Sequence, residues 1–109
     1  VFFGTYCPDC KQVLPVIEEV WKELKDDPRF LLVTISRKET AEVVSNYWKE
    51  NQFTMPFYLD TRGEVFSLFA NNTIPRIYII NPDNEVVWMA VESLDISAKE
   101  LIQKIKGLK

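Results

Sequence analysis

Short apolar runs alternate with helical repeats along the first two-thirds of the chain. Apolar residues recur at three- and four-residue steps over 8–25 and again over 40–51, which predicts two amphipathic helices. Short apolar runs at 1–6, 30–35 and 56–60 predict strands, and 63–69 predicts a short helical segment. The run at 30–35 is almost continuously apolar and β-branched, which is typical of a strand covered on both faces.

The last third of the chain carries a different pattern. Strand-like runs at 77–80 and 86–91 are separated by Asn-Pro-Asp-Asn at 81–84, a turn sequence that predicts an antiparallel hairpin. Ser97 and Glu100 form a capping box that opens a final helix. The order β-α-β-α-β-α-β-β-α predicts an α/β fold, with a sheet that is parallel at first, ends in an antiparallel hairpin and has helices on both faces.

Length and composition narrow the possible functions. With 109 residues, the chain is predicted to form one domain over 1–109, whose first strand is shortened at the N-terminus. A net charge of −3 without a basic patch argues against nucleic-acid binding. No apolar run approaches the roughly 20 residues that span a bilayer. Since the chain has no histidine and only two cysteines, a zinc site within it would lack ligands.

The two cysteines lie in Cys7-Pro8-Asp9-Cys10, between the first strand and the first helix. A C-x-x-C can be half of a zinc site, a local disulfide or a redox pair. Its position favours the redox pair. With Cys7 as N-cap and Pro8 at the first helical position, helix amides and the helix dipole would stabilise a Cys7 thiolate. Cys10, one turn further in, would then resolve the mixed disulfide. Asp9 either stabilises the helix start or tunes the pKa of Cys7. Its negative charge would destabilise a nearby Cys7 thiolate.

This strand, C-P-D-C and helix resemble the thioredoxin superfamily, and in particular its TlpA/ResA-like branch. Pro15 lies where that family carries a proline within the helix, and Thr73-Ile74-Pro75 precedes the hairpin where the family has a cis-proline loop. The passage 74–83 and the strand-and-helix insert at about 55–69 also match the branch. The resemblance implies a three-layer α/β/α sandwich with a central mixed sheet. It also implies substrate contacts at Tyr6, Pro8, Asp9, Ile74 and Pro75.

Two positions depart from the family. Val1 and Val13 stand where relatives carry a buried acid near the dithiol, and Glu18 and Glu19 have the pattern of ordinary exposed helix acids. The group that accepts the proton of Cys10 is therefore not identified by the sequence.

The resulting hypothesis is a protein-disulfide reductase or isomerase that exchanges its dithiol with disulfides of partner proteins or small molecules. A redox-silent binding domain is the alternative, and a thiol peroxidase a weaker one. No metal or cofactor is predicted, and the expected state is a monomer that works with a redox partner protein. The resemblance implies a bacterial extracytoplasmic location, periplasmic or membrane-anchored, and a cytoplasmic one stays open.

Overall fold

The computed structural model describes residues 1–68, 74–91 and 97–107. Within these ranges the strands and helices follow the predicted order. They are β1 (Phe2–Phe3), α1 (Pro8–Leu24), β2 (Ile35–Arg37), α2 (Ala41–Asn51), β3 (Tyr58–Asp60), α3 (Glu64–Ser67), β4 (Arg76–Ile80), β5 (Val86–Val91) and α4 (Ala98–Lys106).

In the described residues these strands form one mixed sheet in the order β3-β2-β1-β4-β5. The strands β1, β2 and β3 are parallel, whereas β4 is antiparallel to β1 and β5 is antiparallel to β4. The predicted mixed sheet with a terminal hairpin is therefore confirmed. Because parallel strands end at the same edge of a sheet, the loops after β1, β2 and β3 meet there, and β4 begins at that edge.

Helices lie on both faces of the sheet, as predicted. Phe3 packs against Trp48 of α2, whereas Phe2 meets Phe66 of α3 edge to face. Since neighbouring residues of a strand point to opposite faces, α2 and α3 lie on opposite sides. Helix α1 shares the α2 side, because Glu18 of α1 and Trp48 of α2 both bind the backbone of Met55. Helix α4 packs against α1.

The prediction for 30–35 is wrong in both position and burial. Strand β2 comprises Ile35–Arg37, because these are the residues that pair with β3, and the first two of them also pair with β1. Burial alternates along the segment, with Leu32 buried and Leu31 80% exposed. In the described part of the chain, the single-turn helix α3 covers the face of the sheet opposite α1 and α2. That face is therefore only partly covered.

Two local predictions, the capping box and the short helix at 63–69, meet different outcomes. The capping box is confirmed, since Ser97 Oγ accepts a hydrogen bond from the Glu100 N–H at 3.1 Å. The short helix at 63–69 is shorter than predicted and spans Glu64–Ser67, while Phe69 and Thr73 lie outside the described residues. That residues 1–109 form one domain stays a prediction. Among the described helices, none combines the length and the apolar character needed to cross a membrane.

Candidate redox site

Cys7 caps the N-terminus of α1 through its sulfur. Its backbone is extended (φ −92°, ψ 116°), and its Sγ accepts a hydrogen bond from the Cys10 N–H at 3.3 Å. Pro8 follows at the first helical position, where a missing N–H leaves no helical bond unmade. The predicted N-cap is thus confirmed. An amide and the positive end of a helix dipole face the sulfur, which is the arrangement that stabilises a thiolate.

The two thiols differ in access to solvent. Cys7 is partly exposed, whereas Cys10 is completely buried in the core. Burial raises the pKa of the Cys10 thiol well above its ordinary value, and its hydrogen bond with Cys7 raises it further, with smaller contributions from the charges of Cys7 and Asp9. Cys10 therefore stays protonated at neutral pH. An incoming disulfide can reach Cys7 but not Cys10.

The opposite wall of the site comes from the loop before β4. The Ile74–Pro75 peptide bond is cis, and both residues are buried. Cys7 Sγ lies 3.8 Å from Ile74 O, to which its S–H donates. Residues 67 positions apart in sequence thus meet at the sulfur.

The Tyr6 ring forms the rim of the site. It lies against Gly4, where a Cβ atom would come within 2.7 Å of two ring atoms and 3.1 Å of Ile74 Cδ1. The side chain is nevertheless 59% exposed. Partial burial raises the pKa of the Tyr6 phenol, Arg37 opposes that rise and Glu39 adds to it. Pro8 is exposed and Asp9 half-buried on the same helix start.

Val1 and Val13 place no polar group near the thiols. Val1 pairs with β2, and Val13 is buried in the core. The interpretation of Glu18 as an exposed acid is wrong: it is only 5% exposed, and its carboxylate binds Thr54 and Met55, whereas Glu19 is exposed. Amphipathic spacing could not show this, because the donors come from a distant loop.

Glu39 is the polar residue near the site that sequence reasoning missed. It lies two residues beyond β2, and its buried carboxylate accepts hydrogen bonds from the loop between β1 and α1. The available signal was its place after a parallel strand, at the edge where the dithiol also lies. Within the described ranges, no three Cys, Asp or Glu side chains come together as potential metal ligands.

A helix-capping dithiol beside a central strand, opposite a cis-proline loop, defines a thioredoxin-type protein. The chain belongs to the thioredoxin-like family, whose model matches residues 1–86.

Relatives and solved structures agree with this assignment. The chain is 28% identical over 87 residues to sporulation thiol-disulfide oxidoreductase A of Bacillus subtilis, covering 78% of this chain and 53% of that protein. It is 31% identical over 99 residues to the thiol-disulfide oxidoreductase ResA of Oceanobacillus iheyensis, covering 91% and 51%. It therefore spans about half the length of these relatives.

Among solved structures, StoA of Bacillus subtilis superposes with a TM-score of 0.80 at 27% identity, covering 94% of this chain and 76% of StoA. A thioredoxin-family thiol:disulfide interchange protein of Chlorobium tepidum gives 0.81 at 25% identity, covering 96% and 74%.

Proposed function

We propose that this protein is a thiol-disulfide oxidoreductase in which Cys7 attacks and Cys10 resolves. The observation that carries the proposal is the capped, partly exposed Cys7 sulfur, held between the Cys10 N–H at 3.3 Å and Ile74 O at 3.8 Å. The relatives named as thiol-disulfide oxidoreductases support it. A redox-silent binding domain would need neither the cap nor a buried second thiol.

The exchange proceeds in two steps. The Cys7 thiolate attacks one sulfur of the substrate disulfide, whose S–S bond breaks as a mixed disulfide forms and the released thiolate takes a proton. Cys10 then loses its proton and attacks Cys7 Sγ, which releases the second substrate thiol and forms the Cys7–Cys10 disulfide. Two electrons pass from the dithiol to the substrate. The same steps in reverse oxidise a substrate dithiol.

The second step has the harder proton transfer. Burial holds the pKa of Cys10 high, and Asp9, whose charge raises it further, does not favour loss of that proton. We propose that water admitted when substrate binds takes the proton, because Val1 and Val13 supply no acid. Resolution of the mixed disulfide is then expected to be slower than attack by Cys7.

The proposed substrate contacts lie around the Cys7 sulfur. Tyr6, Pro8 and Asp9 would form the rim, and the backbone of Ile74 before Pro75 would pair with an extended peptide that presents its cysteine to Cys7. These contacts suit a protein or peptide disulfide, and a small disulfide would use the sulfur alone.

Single-cysteine variants test the function. Reduction of insulin by dithiothreitol should be accelerated by the parent chain and not by Cys7→Ser, while Cys10→Ser should accumulate a mixed disulfide because nothing resolves it. The reduction potential then sets the direction: a value near about −270 mV indicates a reductant and one near about −120 mV an oxidant. A parent that neither exchanges nor forms the internal disulfide would contradict the proposal and favour a binding domain.

We further propose a monomer in an extracytoplasmic compartment, in keeping with the TlpA/ResA-like resemblance. Labelling of Cys7 in intact cells by a membrane-impermeant maleimide tests the location. Labelling only after lysis would contradict it.

A further inference from the structure

The carboxylate of Glu39 is buried between the sheet and the loop that carries Cys7. The side chain is 8% exposed. Its Oε1 accepts hydrogen bonds from the Thr5 N–H at 2.8 Å and from Ser36 Oγ at 2.7 Å, and its Oε2 accepts one from Thr5 Oγ1. Ser36 belongs to β2 and is completely buried. One carboxylate thus joins the redox loop to the rigid sheet beside it.

The loop that Glu39 binds is short. Between the end of β1 and Cys7 it contains only Gly4, Thr5 and Tyr6, and Cys7 N–H closes it on Gly4 O at 3.2 Å. The extended backbone of Cys7 points its sulfur at the Cys10 amide. A shift at Thr5 would therefore move the sulfur away from both the helix amide and Ile74 O. Hydrogen bonds to a charged acceptor are stronger than neutral ones and suit such an anchor.

We infer that Glu39 is a positioning residue for the dithiol, which acts through Thr5 to hold the Cys7 sulfur at the helix N-terminus and toward the cis-proline loop. The inference rests on the proposed function of Cys7 as the attacking thiol. Glu39 contacts the loop and not the thiols, so its role is geometric.

The chain offers a matched control. Glu18 is also buried, and its carboxylate also accepts two backbone or hydroxyl hydrogen bonds from one threonine, Thr54, with a third from Met55. It joins α1 to the loop before β3, away from Cys7. Glu18→Ala should therefore remove a comparable set of hydrogen bonds without moving the redox loop.

The test measures the rate of Cys7 alkylation by iodoacetamide as a function of pH, in Cys10→Ala proteins, because alkylation needs no disulfide partner. Glu39→Ala should lower the rate on the thiolate plateau, or shift the pH profile so that the rate at neutral pH falls, by about ten-fold. Glu39→Gln should recover most of the rate, since its amide can still accept from Thr5 N–H and donate to Thr5 Oγ1. Glu18→Ala should alkylate at the parental rate.

Three results would overturn the inference. The first is a parental alkylation profile in Glu39→Ala, and the second is an equal loss of rate in Glu18→Ala. The third is an equal loss of rate in Glu39→Ala and Glu39→Gln, which would make charge and not hydrogen bonding responsible. If Glu39→Ala does not fold, Thr5→Val removes the hydroxyl bond alone and should slow alkylation by about three-fold; an unchanged rate would then count against the role. Failure of insulin reduction by the parent with normal alkylation contradicts the proposed function only.

Discussion

The buried carboxylate of Glu18 gives the clearest stability prediction. Its Oε1 accepts hydrogen bonds from the Thr54 N–H at 2.8 Å and the Met55 N–H at 2.9 Å, and its Oε2 accepts one from Thr54 Oγ1 at 2.6 Å. Glu18→Ala removes all three. The Met55 amide is buried and is left without this partner, whereas Thr54 is exposed and can turn to water.

The magnitude follows from these contacts. A hydrogen bond to a charged group contributes about 1.5–3 kcal/mol, and an unsatisfied buried amide costs about 1–3 kcal/mol. Because water replaces part of the loss at Thr54, we expect Glu18→Ala to lower the free energy of unfolding by about 3 kcal/mol. Glu18→Gln keeps an oxygen for the two amides and should lose about 1 kcal/mol. Domains of this kind are stable by about 5–15 kcal/mol, so both variants should fold.

Urea titration followed by tryptophan fluorescence measures the change as a shift in midpoint at constant slope. Glu19→Ala is the control, because Glu19 is the exposed neighbour on the same helix, and it should change stability by less than about 0.5 kcal/mol. Equal effects of the two alanine substitutions would refute the assignment of Glu18 as a structural anchor.

Two further predictions concern Cys10 and the glycines. Burial raises the pKa of Cys10 in the folded state, so the unfolded chain releases the thiol proton at a lower pH than the folded chain does. The contribution of Cys10 to the free energy of unfolding is therefore full below about pH 8.5. Above that pH it declines by up to about 1.4 kcal/mol per pH unit. Urea titrations of the reduced parent and of Cys10→Ala between about pH 7 and about pH 10 should diverge accordingly, and parallel curves would contradict the prediction. Gly63 precedes α3 at φ 74°, so Gly63→Ala should lower the free energy of unfolding by about 1–2 kcal/mol. Gly107→Ala should leave it nearly unchanged, because Gly107 lies at φ −73°. Equal losses in these titrations would show that left-handed backbone strain does not decide the difference.

Local sequence predicted much of the fold because short-range chemistry sets these features. The helix at 8–25 matches α1 to within one residue, since the Cys7-Pro8 cap and the apolar spacing act within a few turns. The sequence at 81–84 predicted the hairpin because its turn is local. The Asn81 side chain accepts hydrogen bonds from the Asp83 and Glu85 N–H groups, so the turn forms within five residues. The run at 30–35 was misjudged because pairing and cover depend on other strands and helices, which composition does not show.

Residues adjacent along the chain were enough to predict the dithiol, its position as a helix cap and the deeper burial of Cys10. Tertiary structure decided the rest of the site. It brought Ile74 O to the Cys7 sulfur, and it buried Glu18 and Glu39 among donors from distant segments. A carboxylate in a helix or loop has the same local pattern whether it meets water or a buried amide. Only the packing of the whole chain determines which of the two it meets.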